Sequence, residues 1–164
     1  MRKIFFVAIL GLMALNLFIY VHTAYRTPES YQGFMDRLGM APMKEYADPE
    51  FGYRVKYPCF FSEEKTDTGH TRFCYRRDVN ILLESYVDMN PSSELLARKD
   101  ATFIIAAPVY ENGVRIDGYS RYDKYIRSGR TFFVLSLVYP DSYKPALQRL
   151  FRLVDDWSVL GAVS

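Results

Sequence analysis

The chain has 164 residues, 49% hydrophobic and 24% charged, a globular composition that excludes a disordered or collagen-like chain. That length accommodates one domain and hardly two. There are 21 basic and 19 acidic residues, and Arg2 and Lys3 account for the whole excess. The rest of the chain is neutral, so it has no global field to draw nucleic acid or an anionic membrane surface, and no nucleic-acid partner is expected.

Residues Ile4 to Val21 form an uncharged run of 18 residues behind Arg2 and Lys3. As a helix the run is about 27 Å long, just short of a typical hydrocarbon core. An uncleaved signal anchor suits this length. A cleaved signal peptide is the alternative, with Val21-His22-Thr23-Ala24 as a mediocre cleavage site. In both cases the basic start favours a cytoplasmic N-terminus. The domain is then expected on the extracytoplasmic side, membrane-anchored or exported. Residues 25–50 hold Pro28, Gly33, Gly39, Pro42 and Pro49 and read as a linker with one or two helical turns at Tyr31 to Leu38. The expected division is residues 1–24 as anchor or signal, 25–50 as linker and 51–160 as the domain.

From Phe51 the period becomes two. Tyr53, Val55 and Tyr57 alternate with Arg54 and Lys56, which predicts a half-buried strand. A polar loop, Ser62 to Gly69, precedes strands at His70–Arg76 and Val79–Val87, joined by a tight turn at Arg77-Asp78. Asn90-Pro91 predicts a short helix through Lys99. Asn112-Gly113 is a strong hairpin signal, because both residues tolerate positive φ. Pairing about it opposes Val109 with Ile116, Ala107 with Gly118, Ile105 with Ser120 and Phe103 with Tyr122. Pairing about Ser128-Gly129 opposes Tyr122 with Leu135, Ser120 with Leu137 and Gly118 with Tyr139. The two turns thus agree on one face for strands Thr102–Glu111, Val114–Arg127 and Arg130–Tyr139. Pro108 predicts a free edge or a bulge. Asp141 is expected to cap a last helix reaching Trp157, with Leu147, Leu150, Val154 and Trp157 on its apolar face. Gly118 and Ser120 are expected to let that helix dock closely. The third of these strands is apolar on both faces and so is covered on both sides. The fold class is α+β: a central antiparallel sheet of about six strands flanked by helices in an α/β/α sandwich, preceded by one N-terminal apolar helix.

Two segments resemble a known family. Phe51-Gly52-Tyr53-Arg54-Val55-Lys56-Tyr57-Pro58 is similar to the first strand of the PsbP-like superfamily. The stretch from Gly129-Arg130 to Leu135-Ser136-Leu137-Val138-Tyr139-Pro140, with a helix after it, is similar to that superfamily's last strand and helix. The resemblance implies an α/β/α sandwich, and binding and assembly in place of catalysis. Members include extrinsic subunits of photosystem II and many exported or membrane-tethered bacterial proteins. No functional residue is carried over from it.

Candidate chemistry is sparse. Of two histidines, His22 falls at the membrane boundary and His70 has no Ser or Cys signature beside it, so no catalytic residue is assigned. Glu63-Glu64 and Asp155-Asp156 read as solvated surface. No metal site and no cofactor are expected. Cys59 and Cys74 form a disulfide if the domain is exported, or else are two buried thiols. Arg115, Asp117, Tyr119, Arg121, Asp123 and Tyr125 alternate along one strand. They read as a candidate protein- or ligand-binding face, or as a salt-bridged face covered by other elements. The expected function is a non-enzymatic, membrane-tethered module with a protein partner. The alternative is a small-ligand carrier or hydrolase with an unrecognised site.

Overall fold

The computed structural model describes residues 30–77 and 79–159. The apolar run Ile4–Val21 lies outside them, and among the described residues no helix is long and apolar enough to cross a membrane.

Helix α1, Tyr31–Met40, opens on Ser30, whose Oγ accepts from the Gly33 N–H at 3.0 Å. Phe34 and Leu38, one helical turn apart, are its buried residues. Strand β1, Met43–Ala47, then pairs antiparallel with β2, Arg54–Pro58. Residues 31–47, read above as connection, therefore supply a helix and a strand to the core. Tyr53, Val55 and Tyr57 are buried as their alternation predicts.

The main sheet has six antiparallel strands in the order β3-β4-β5-β8-β7-β6. They are β3 Ser62–Lys65, β4 Thr71–Arg76, β5 Asn80–Asp88, β6 Thr102–Glu111, β7 Val114–Ser128 and β8 Thr131–Pro140. Six strands match the number expected, but one member differs. β2 leaves the sheet to pair with β1, and β3 takes the edge from what reads in sequence as a loop. Helix α2, Ser93–Ala97, is capped by Ser92 and not by Asn90. After β8 comes a 3₁₀ turn, Asp141–Leu147, and then α3, Gln148–Asp156. Pro145 lies in the 3₁₀ turn, so the long helix predicted from Asp141 begins only at Gln148.

The sheet carries a core on each side. The larger core joins α1, β1, β2 and α3 to Phe73, Leu83, Leu135, Leu137 and Tyr139. Leu147, Leu150, Val154 and Trp157 all point into it, as their spacing predicts. The smaller core holds Phe103, Tyr125, Phe132 and Val134, with Leu95 and Leu96 of α2 packed against them. β8 is thus covered on both faces, which is why its sequence is apolar throughout.

Both hairpins exist, and both registers differ from the expected ones. The second turn centres on Gly129-Arg130, not Ser128-Gly129, since Ser128 pairs with Thr131. Only Gly129 has positive φ there, the pattern of a II′ turn. Moving a turn by one residue shifts pairing by two, so the faces survive: Tyr122 now opposes Leu137 and Ser120 opposes Tyr139. At the first turn Asn112 and Gly113 both have positive φ, and Glu111 opposes Val114 as expected. A bulge between Pro108 and Tyr110 then changes the register by three. An odd shift exchanges the faces. Phe103 opposes Tyr125, not Tyr122, and Ile105 opposes Asp123, not Ser120. Pro108 therefore has both features predicted for it, an edge strand and a bulge. Gly118 sits in the bulge at φ +75 with nothing within 4 Å of a built Cβ. It does not receive α3, contrary to expectation; its role is the left-handed backbone.

Candidate functional site

The six residues expected on one binding face are divided by this bulge. β7 pairs with β8 only from Tyr119 onward. Residues 109–118 thus extend past the end of β8 as a two-stranded arm. Arg115 and Asp117 lie on this arm, with Asp117 97% exposed and the pair 3.9 Å apart. Tyr110 and Val114 near its tip are 61% and 70% exposed. Tyr110 opposes Arg115 on one face of the arm, and Val114 opposes Glu111 on the other. Tyr119 stands at the root of the arm, half-buried, its hydroxyl 3.5 Å from the Asn80 N–H.

Arg121, Asp123 and Tyr125 share the sheet face that carries the smaller core. Tyr125 is part of that core, stacked on Phe103 at 5.1 Å. Asp123 is buried, with Ser136 Oγ donating to its Oδ1 at 2.6 Å and Arg121 Nε 2.6 Å from its Oδ2. Arg121 and Asp123 are held together at this contact as an ion pair. Burial pushes the Asp123 carboxyl up from its ordinary value, while Arg121 and Ser136 pull against it. The Arg121 side chain is 36% exposed, so its outer edge reaches solvent.

The register continues this polar row across the sheet. Asp123 opposes Ser136, Ser136 opposes Glu84, and Glu84 opposes Arg72. Arg72 Nε donates to Glu84 Oε1 at 2.7 Å, and His70 Nδ1 lies 3.1 Å from the same oxygen. The His70 ring stacks on Tyr86 at 4.3 Å. His70 is thus tied to a carboxylate and an aromatic ring. Arg72 and Cys74 share one face of β4, and Glu84 and Tyr86 share one face of β5. Their meeting in one row depends on non-local pairing.

Cys59 and Cys74 are free thiols. Cys74 is on the face opposite Phe73 and Tyr75, and burial pushes its thiol up. Cys59 lies beside Pro42 and Phe60, against the α1 side. The two are not bonded to each other in this structure.

A cleft of about 790 Å³ opens between α3 and the outer face of β1 and β2. Two of its four cations, Arg54 and Arg149, serve neighbouring groups. Arg54 pairs with Glu45 at 2.7 Å. Arg149 Nη1 donates to the carbonyls of Leu38, Gly39 and Ala41 at the end of α1. Trp157 Nε1 donates to the Arg54 carbonyl at 2.7 Å. No group of three or more His, Cys, Asp or Glu able to hold a metal occurs among the described residues.

No family model matches the sequence. No curated protein matches it either. Among solved structures, cyanobacterial PsbP (CyanoP) from Synechocystis sp. PCC 6803 is similar, over 74% of this chain and 95% of that one, at 13% identity and a TM-score of 0.45. A likeness of this degree carries no argument about what the chain binds.

Proposed function

We propose that the chain is a non-enzymatic binding or assembly module. Its N-terminal apolar segment tethers it to a membrane or directs its export, and the domain works on the extracytoplasmic side. The observation that carries this reading is the β6–β7 arm. It projects past β8 and presents Tyr110 with Arg115 and Asp117 on one face and Val114 with Glu111 on the other. An exposed aromatic and a β-branched residue flanked by charge suit a protein contact, with Tyr as the anchor. The arm contributes nothing to either core, so its sequence is free to serve recognition.

The test is affinity capture from detergent-solubilised membranes with the wild type and with Tyr110→Ala plus Val114→Asp. The expected result is one stoichiometric partner held by the wild type and lost by the variant, with equal melting temperatures. Retention of every partner by the variant overturns the arm as the contact. A catalytic turnover traced to the purified chain overturns the non-enzymatic reading.

A further inference from the structure

The two edges of the main sheet are unlike each other. β3 has four residues, three of them charged: Glu63, Glu64 and Lys65. Short charged edges resist strand addition. β6 has ten residues and no charge from Thr102 to Tyr110. A long, uncharged edge is what such protection normally removes.

The hydrogen-bond phase of β6 follows from one contact. The Arg127 N–H donates to the Ala101 carbonyl at 2.7 Å, so these two form a hydrogen-bonded pair. Antiparallel pairs alternate, so Phe103, Ile105 and Ala107 also turn their main-chain groups toward β7. Thr102, Ile104, Ala106 and Pro108 turn theirs to the open edge. Pro108, which has no N–H, stands at an outward position and costs the sheet no bond.

We propose that β6 pairs antiparallel with β6 of a second copy of this chain, about a two-fold axis at Ile104. This goes beyond the function proposed above and does not depend on it. In that register Ile104 meets its own equivalent, and Thr102 meets Ala106 on both sides of the axis. Every outward N–H and C=O from Thr102 to Ala106 then gains a partner, and the bonds stop short of Pro108. Side-chain sizes match, a β-branched residue facing a small one on either side of the axial isoleucines. Charges are kept apart as well. Asp100 falls opposite Pro108, and Glu111 opposite Ala97, so no like charges face each other. Ile104 is 39% exposed in the single chain, so its burial on pairing is a gain still to be made. The charged β3 edge ends the growth, giving a closed dimer and no fibre. A partner of different sequence would be read through pockets for alternate side chains, and the outward positions are small or β-branched.

The test uses the full chain in detergent, followed by sedimentation over a range of concentration. Dimer is expected for the wild type. Ile104→Lys and Ile104→Glu, each placing like charges across the axis, should each be monomeric with an unchanged melting temperature. Mixing the two should restore a dimer. Ile104→Cys should form an intermolecular disulfide on oxidation, because directly opposed Cα atoms in such a pair are about 5.5 Å apart. A wild type that stays monomeric at every concentration overturns the proposal. So does a dimer that persists in both charged variants, or one that Ile104→Cys fails to cross-link.

Discussion

At the level of single residues the most informative group is Asp123. A carboxylate buried beside Arg121 could be held ionised by charge or pushed toward protonation by burial. Here burial is the larger cause, and the carboxyl is raised. The folded state therefore binds this proton more readily than the unfolded chain, whose aspartate titrates near ~3.9. Stability contributed by the group falls as pH rises from that value through the raised folded value, and is constant above it. Asp123→Asn removes this dependence. Urea midpoints of wild type and variant between pH 4 and 7 should show the wild type gaining on Asp123→Asn as the pH is lowered. The reverse trend would mean that Arg121 outweighs burial. Lys124, one residue on and facing the other way, obeys the same physics with opposite sign. Burial pulls its ammonium down, and Nζ donates to the Asp155 carbonyl.

Among the elements, α1 and α3 share the larger core and are also joined through Arg149. The last carbonyls of a helix lack intrahelical partners, and α1 ends beside Arg149, the second residue of α3. One guanidinium accepts that task for Leu38, Gly39 and Ala41. Hydrogen bonds from a charged donor are among the stronger ones, so Arg149→Met should cost about 2 kcal/mol in urea denaturation. Hydrogen exchange should quicken in α1 before it does in the main sheet. Arg152→Met, one turn along and exposed, should cost far less. Equal effects from the two would show that the α1 carbonyls are satisfied by water. The same contact accounts for one of the four cations that line the cleft beside α3. Its arginine there completes a helix end and does not wait for an anion.

The whole molecule is organised by a sheet that separates two cores. That separation decides the fate of the cysteines, because Cys59 is on the α1 side and Cys74 faces away from it. Exported protein, unfolded without reductant, should titrate two thiols. Folded, Cys59 should react first and Cys74 only on unfolding, being buried and raised in pKa. Absence of both thiols would require a rearrangement of the Pro58–Ser62 connection. The separation also explains why the arm can carry recognition. It begins where β8 ends at Pro140, beyond the reach of either core.

Much of this fold was legible in the chain, and for local reasons. Alternation marked β2 and β7, and an apolar period near 3.6 marked α3, because each pattern reflects which side of one element is buried. Asn112-Gly113 marked its hairpin, because few residues accept positive φ. The tertiary structure alone decided how those elements meet. Segment Ser62–Lys65 has too little apolar content to announce a strand, and it becomes one only because β4 offers an edge. The bulge at Pro108 exchanges the faces of β6 relative to β7, and its cost depends on what each face then buries, which no local window contains. The candidate face Arg115 to Tyr125 divided for that reason. Its first half followed the arm into solvent, and in its second half Tyr125 packs with α2 while Asp123 is buried beside Ser136 of β8.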